Sequence, residues 1–398
     1  MTRLTSIWLV LTSLCAAPAL AQTPAPAPPP AQPAPPSIAW KDGKTRITLG
    51  GAYLEISNRV QFRFTQEFPD DSIRLAGTEE AGDSRGSFRI RRAKFKLEGW
   101  MYKPWLSYEV QLNWANLASS NPGSALEDAA FDIDFSKGKG ALRLHAGQFK
   151  PPFGGQELTS SGSQIFVDRA LATNSFFRGR DIGIALWGVT ANNRIEWRAG
   201  MFNGNGPTRG ANDNGKYQYN ARLMWQPNGS QNLNTRAWVS GPLYSESDFE
   251  STAAPIYAVA LNWENQNNFN ATSGNDQKWN AYSVDGIFKF RGFSANGMYT
   301  IAQRTPEAGP SFDASGGFIQ AGQLFNDRRF EVAARYGQFD PTDLADDNVT
   351  RELRGAFNYY YARHGLKWQT DVGRVEIATV PGAPARTVEL RTQLQFVF

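Results

Sequence analysis

The densest group of charged residues that could do chemistry lies between Phe88 and Glu98, a stretch that contains five cations. These cations are Arg89, Arg91, Arg92, Lys94 and Lys96. From Arg92 onward they alternate with apolar residues, so a strand would place them on one face. The alternation changes parity at Arg91 and Arg92, which predicts a β-bulge there. A row of guanidinium and ammonium groups attracts anions, and guanidinium also fits the oxygen atoms of phosphate.

A second group of candidate residues lies in the longest loop-like stretch, residues 148–180. The prolines and glycines of residues 147–154 predict a sharp bend at its start, and residues 159–163 are rich in serine. Its cations are Lys150, Arg169, Arg178 and Arg180, and its acids include Glu157 and Asp168. Hydroxyl and guanidinium groups at a constriction would suit a phosphate-like ligand. An ordinary surface loop would have the same composition, so both interpretations stay open.

Strands must position both groups, because apolar and polar residues alternate with period two along most of the chain. In residues 388–398, for example, Leu394 and Phe396 share one face, Gln395 lies on the other, and the sequence stops at Phe398. The closing strand of an outer-membrane barrel has this pattern, since one face contacts lipid and the other a wet lumen.

The pattern predicts an all-β protein, a transmembrane antiparallel β-barrel of about sixteen strands. Short connections alternate with long ones, as in a barrel with short periplasmic turns and longer external loops. An even number of strands leaves both termini in the periplasm. The exception is residues 227–255, a long connection on the short-turn side. A strand at residues 236–240 would change the count.

Sorting the charged residues by face gives the predicted lumen wall. The cations predicted to line the pore and guide anions are Arg63, Arg89, Arg92, Lys94, Lys96, Arg143, Arg198 and Arg222. A positive potential in a channel with low-dielectric walls concentrates anions. Carboxylates such as Asp132, Glu196 and Asp285 share this face, so the charges could equally neutralise one another without selecting any ion.

The N-terminal residues predict export. Arg3 precedes an apolar run at residues 7–15, and residues 19–21 form an A-x-A cleavage site. We therefore predict three parts: a signal peptide at 1–21, a Pro/Ala-rich periplasmic linker at 22–42 and the transmembrane barrel at 43–398. Cys15, the single cysteine, lies in the predicted signal peptide, so the mature chain would have no disulfide and no cysteine metal site.

Other classes of function find little support in the residues. The chain carries 41 Lys and Arg against 37 Asp and Glu, an excess too small to indicate nucleic-acid binding. The two histidines, His145 and His364, lack metal-ligand spacing, and we predict no cofactor. Ser160, Ser161 or Ser163 could form a Ser–His pair with His145, as in outer-membrane phospholipases, but we predict that the protein is not an enzyme.

Four stretches resemble the phosphate-selective porin O/P family. They are residues 88–94, residues 147–154, residues 358–361 with His364 after them, and the closing strand, in the order of the family. The resemblance implies a fold similar to that of sixteen-stranded trimeric porins, with the third long loop folded inward. It also implies passive, anion-favouring diffusion of small solutes, with phosphate or polyphosphate as candidates.

The expected partners follow from the strand pattern and the resemblance. They are outer-membrane lipid, small anionic solutes, further copies of the chain in a homotrimer, and the barrel-assembly machinery, which would contact the C-terminal strand ending in Phe398. The expected location is the bacterial outer membrane. The alternative is a structural or adhesive outer-membrane barrel with little conductance, whose linker and long loops contact the cell wall or a partner.

Overall fold

The structure is a computed structural model. It describes residues 36–41, 43–69, 85–117, 125–177, 179–190, 192–208, 212, 215–228, 238–239, 241–251, 253–267, 277–346, 348–377 and 385–398. All of them belong to the unit Pro35–Phe398. The predicted signal peptide and most of the predicted linker lie outside the described residues.

Eighteen strands are present in the described residues. They are β1 (Ser37–Lys41), β2 (Lys44–Leu49), β3 (Ala52–Pro69), β4 (Arg85–Met101), β5 (Leu106–Asn113), β6 (Leu126–Asp134), β7 (Arg143–Phe149), β8 (Asp181–Val189), β9 (Ile195–Phe202), β10 (Gln218–Trp225), β11 (Ile256–Asn267), β12 (Gln277–Phe290), β13 (Phe293–Pro306), β14 (Phe312–Phe325), β15 (Phe330–Asp340), β16 (Thr350–Ala362), β17 (Leu366–Ile377) and β18 (Ala385–Val397).

Sixteen of these strands, β3 to β18, close into an antiparallel barrel. Each pairs with the next along the chain, and β18 closes the sheet on β3, with Gln395 opposite Gln61. Apolar side chains on the outer face are exposed, as for Leu353 and Leu261, because alternate residues of a barrel strand point outward. The predicted fold class and strand count are confirmed.

The other two strands form a hairpin that the sequence analysis did not predict. β1 pairs with β2, and β2 pairs with residues 52–57 of β3. Residues 59–69 of β3 pair with β18, so the hairpin continues the sheet where the closing strand ends. The hairpin therefore occupies the predicted linker–barrel boundary, at the end of the barrel that carries the short turns. We call this the short-turn end and the opposite one the long-loop end.

Two connections cover much of the inner face of the barrel. Residues 150–177 and 179–180, the inward loop, contain the helices α1 (Gly155–Leu158) and α2 (Leu171–Phe176). Gly154, with φ of 76°, makes the bend before α1, a conformation that glycine adopts without steric cost. Within the described residues, no helix combines the length and apolar character needed to cross a membrane.

The inward loop is held by hydrogen bonds to inward-facing side chains on three strands. The backbone N–H of Gly154 donates to Asn262 Oδ1 on β11 at 3.1 Å. The N–H of Val167 donates to Asp371 Oδ2 on β17 at 2.9 Å, and that of Leu171 donates to Glu352 Oε1 on β16 at 2.7 Å. Because these strands lie far from β7 and β8, which flank the loop, the loop crosses the lumen.

Residues 238–239 and 241–251, the inserted segment, enter the lumen from the short-turn end, between β10 and β11. Trp238 packs in a buried apolar cluster with Phe149, Trp187 and Phe202 on β7, β8 and β9. The described part of the long connection between β10 and β11 therefore lies inside the barrel. Residues 236, 237 and 240 of the alternative strand lie outside the described residues.

Candidate pore and its charged wall

Three cavities adjoin one another in the lumen. The central cavity, of about 400 Å³, lies between the wall formed by β4, β5 and β6, the inward loop and the inserted segment. A cavity of about 310 Å³ at the short-turn end shares Lys94, Lys96 and Ser160 with it. A cavity of about 250 Å³ at the long-loop end shares Phe177 and Arg180 with it. The shared linings place the three cavities next to one another, as parts of one candidate pore region.

A β-bulge on β4 sets the charge of the central cavity. Gln61 of β3 lies opposite Arg92 while the next residue, Phe62, lies opposite Ile90, so Arg91 is the extra residue. Both Arg91 and Arg92 consequently line the central cavity, followed on the same wall by Lys94. The bulge lies where the sequence predicted it, because the change of parity in the alternation marks the inserted residue.

A second bulge on β6 adds carboxylates to the same cavity. Gln111 lies opposite Asp128 and Leu112 opposite Leu126, which leaves Glu127 as the extra residue. Glu127 forms an ion pair with Lys94, and Asp128 accepts a hydrogen bond from Arg180 Nε at 2.8 Å. The strand alternation did not predict this bulge, although the adjacent acids at 127 and 128 were a signal for it.

The cations of the inward loop also line the central cavity. Lys150 and Arg169 both form ion pairs with Glu157, at 3.2 Å and 2.9 Å. Burial lowers the pKa of Lys150 to about 8, against the opposing charge of Glu157. Burial also acts to lower the pKa of Arg180, but the charges of Asp128 and Glu127 outweigh it and raise that pKa. Arg178 lies outside the described residues.

Three arginines of the wall converge on one carboxylate of the inward loop, Asp168. Arg63 Nη1 lies 2.7 Å from Oδ2, Arg92 Nη2 lies 3.4 Å from Oδ1, and Arg91 Nε lies 3.7 Å from Oδ2. Burial acts to raise the pKa of Asp168, but the charges of Arg92, Arg63 and Arg91 outweigh it and hold the pKa well below its ordinary value. The carboxylate is therefore ionised at neutral pH.

The structure separates the predicted anion-guiding residues into two groups. Arg92, Lys94 and Lys96 line the central cavity, as do three of the predicted loop cations, Lys150, Arg169 and Arg180. The other predicted wall cations, Arg63, Arg89, Arg143, Arg198 and Arg222, line none of the three cavities. Arg89 is exposed on β4, on the long-loop side of the bulge.

The four remaining wall cations are buried and paired. Arg63 is held by Asp168 and by the carbonyl of Val167. Arg143 pairs with Asp132 and Asp134, Arg198 with Glu196, and Arg222 with Asp285. These pairs match the alternative considered from the sequence, in which lumen charges neutralise one another.

The inserted segment brings its own polar groups to the inner wall. Glu246 Oε2 accepts a hydrogen bond from the N–H of Ile165 in the inward loop at 2.7 Å. Asp248 Oδ2 accepts one from the N–H of Gly292, in the β12–β13 turn, at 2.8 Å. The segment thus ties the inward loop to the far wall, a role that sequence reasoning did not identify.

The histidines and serines do not form the Ser–His pair considered from the sequence. Ser160 Oγ and Ser161 Oγ accept hydrogen bonds from Arg59, at 2.8 Å and 3.3 Å. His145 Nδ1 lies 3.2 Å from Asp132 Oδ2, and its ring stacks on Trp238. Among the described residues, no three His, Cys, Asp or Glu side chains are grouped so as to hold a metal ion.

Solved structures of outer-membrane proteins resemble this fold. The anion-selective porin from Comamonas acidovorans has a TM-score of 0.60 at 10% identity, covering 87% of this chain and 100% of that chain. The trimer form of OmpT, an outer-membrane protein of Vibrio cholerae, has a TM-score of 0.54 at 10% identity, covering 87% and 100%. The outer-membrane channel DcaP of Acinetobacter baumannii has a TM-score of 0.54 at 12% identity, covering 88% and 99%. At sequence identities this low, the similarity is evidence for the fold alone.

No curated relative matches the sequence. The family model described as phosphate-selective porin O and P matches residues 62–398, which include residues 62–69 of β3 and every later strand. Together with the closed barrel of sixteen strands, this match identifies an outer-membrane channel protein. The chain is a member of the phosphate-selective porin O and P family.

Proposed function

We propose that the protein is a passive outer-membrane channel that favours small anions, phosphate among them. The observation that carries the proposal is the charge of the central cavity, whose wall bears seven cations and four carboxylates. The cations are Arg91, Arg92, Lys94, Lys96, Lys150, Arg169 and Arg180, and the carboxylates are Glu109, Glu127, Asp128 and Glu157.

The excess of cations continues toward the short-turn end. The cavity there is lined by Lys44, Arg59, Lys94 and Lys96, with Glu98 as its acid. Ion pairs such as that between Lys94 and Glu127 hold the side chains in place while the net charge stays positive. A fixed positive potential raises the local concentration of anions and lowers that of cations, without any step of tight binding.

Assembly and export form the second part of the proposal. The trimer form of OmpT supports a homotrimer, and exposed outer side chains such as Leu353 and Leu261 support contact with lipid. We further propose export through a cleaved signal peptide at residues 1–21, membrane insertion guided by the strand that ends in Phe398, and the absence of enzymatic activity. Sequencing the N-terminus of the mature protein tests the cleavage site.

Planar-bilayer recordings across a potassium chloride gradient test the main proposal. We expect open channels whose reversal potential indicates preference for chloride, with a detergent blank as the control. A reversal potential of the opposite sign contradicts the anion preference. Purified, folded protein that gives no conductance would instead favour the structural or adhesive alternative. Titrating inorganic phosphate against the chloride current measures the affinity for phosphate separately.

A further inference from the structure

The contacts of Asp168 resemble those of a bound anion. Its two carboxylate oxygens are approached by Arg63 and Arg92, and Arg91 lies just beyond hydrogen-bond distance. Guanidinium groups recognise carboxylate and phosphate through the same hydrogen-bond geometry. The three arginines therefore form a receptor for an oxyanion, and the anion they hold belongs to the chain itself.

The backbone of the inward loop holds this carboxylate in place. The carbonyl of Asp168 accepts hydrogen bonds from both terminal nitrogens of Arg335, each at 3.0 Å. The preceding Val167 donates its N–H to Asp371 and accepts a hydrogen bond from Arg63. Because the backbone is anchored on both sides, the carboxylate competes for the arginines at a high effective concentration.

The three arginines offer more hydrogen-bond donors than Asp168 uses. Three guanidinium groups face one carboxylate, and Arg91 Nε, which is buried, has no hydrogen-bond partner in the described part of the chain. The side chain of Arg91 is 34% exposed and, like that of Arg92, lines the central cavity. An anion in the cavity can therefore reach two of the three arginines.

We propose that Arg63, Arg91 and Arg92 form an oxyanion-binding site on the wall of the pore, and that Asp168 occupies it as a tethered ligand. The inference rests on the proposed anion-favouring channel. Asp168 then determines how strongly the pore binds anions. Because it keeps the site filled, anions pass through the pore without binding to the three arginines. Removing its charge would take from the three arginines the carboxylate with which they pair among the described residues, and inorganic phosphate from solution would take its place.

The test is the substitution Asp168→Asn, which keeps the size of the side chain and removes its charge. We expect inorganic phosphate to block the chloride current of this variant at a concentration at least tenfold lower than in the wild-type protein. Adding Arg92→Gln to the same chain should remove most of the gain, because one of the two accessible guanidinium groups is lost. Phosphate sensitivity equal to that of the wild-type protein overturns the proposal.

The matched control is Glu246→Gln. Glu246 also anchors the inward loop, by accepting hydrogen bonds from the N–H of Ile165 and from Gln156, and among the described residues it makes no ion pair with Arg63, Arg91, Arg92 or Arg335. A merely structural effect of Asp168→Asn, such as a looser loop, should appear in both variants. An equal gain in phosphate block in Glu246→Gln therefore contradicts the tethered-ligand proposal.

Two further readouts keep the test decisive. If Asp168→Asn assembles poorly in chloride, refolding it in phosphate at the same ionic strength should restore assembly, since phosphate supplies the missing anion. No recovery in phosphate overturns the inference. The reversal potential of the wild-type channel tests the proposed function independently, so a failure of that proposal is distinguished from a failure at Asp168.

Discussion

The two sides of the lumen use the same residue types for different purposes. On the side of β4 to β6, Arg91 and Lys96 line cavities and keep part of their surface exposed. On the side of β10 to β17, arginines and lysines lie beneath the inward loop and the inserted segment. Arg222, for example, donates to both carboxylate oxygens of Asp285, at 2.5 Å and 3.0 Å.

The difference shows that pointing into a barrel is not the same as lining its pore. A cation that is covered by a loop and paired with a carboxylate fixes the loop, and its field is cancelled locally. A cation beside a cavity acts on whatever enters it. We call the first side the filled side and the second the open side.

The largest expected effect is a loss of stability on the filled side. Arg222→Ala leaves Asp285 buried without its cation, which should cost about 3–5 kcal/mol. We expect the folded barrel to unfold at a clearly lower urea concentration in detergent, followed by gel mobility. The double variant Arg222→Ala, Asp285→Ala should recover part of the loss, because no unpaired charge remains.

The variant to compare with Arg222→Ala is Arg91→Ala, on the open side. Arg91 is about one-third exposed and lies 3.7 Å from its carboxylate, so its removal should cost about 1 kcal/mol or less. Equal losses of stability for Arg91→Ala and Arg222→Ala would abolish the distinction between the two sides.

The next effect concerns Trp238 of the inserted segment, which lies beside the central cavity. Its ring packs on His145 and Phe149 with centroid distances of 4.7 Å and 5.1 Å, and it lines the central cavity. Trp238→Ala removes this packing, at a cost of about 3 kcal/mol or more. We expect a larger and noisier single-channel current, because the inserted segment is less firmly held. Unchanged conductance and noise would show that the segment does not bound the path.

The sequence predicted the barrel and its inward-facing residues, but not which of these residues lie on the open side and which on the filled side. Alternation along β3 to β18 was enough to assign faces, and the parity change was enough to predict the bulge at Arg91. The alternation was not enough to distinguish Lys94, which lines the pore, from Arg198, which is buried under Tyr244. That separation depends on loops whose contacts join residues far apart in the chain, and strand periodicity carries no information about such contacts.

The N-terminal hairpin escaped prediction for a related reason. β1 and β2 are short, and their register is set by pairing with β3 rather than by an apolar face of their own.

Asp168 was recognised only as an acid in a loop. Its importance comes from three arginines of β3 and β4, which only the folded chain brings to it.

A smaller effect is expected from single charges on the open side. Arg92→Gln removes one cation from the central cavity, which should lower the ratio of chloride to potassium permeability about two- to fivefold. Arg374→Gln is the matched control, since Arg374 is exposed on β17 and lines none of the three cavities. Reversal potentials in a salt gradient measure both. Equal changes in the two variants would contradict a local pore field.

The smallest effect is a pH dependence that Lys150 should give the open side. Its pKa of about 8 means that the ammonium group is charged below that pH and neutral above it. One of the seven cations of the central cavity is therefore lost as the pH rises, and the preference for chloride should fall, by about twofold or less, between about pH 7 and 9. Reversal potentials recorded across this range measure the change.

Two variants assign the pH dependence to Lys150. Lys150→Arg keeps its charge throughout the range, because guanidinium titrates far above it, so the preference should become independent of pH. Lys150→Met should give the lower preference at every pH. A fall that persists unchanged in Lys150→Arg would place the titrating group elsewhere. If both variants behave as expected, Lys150 belongs functionally to the open side although its backbone lies in the inward loop, and the boundary between the two sides runs through that loop.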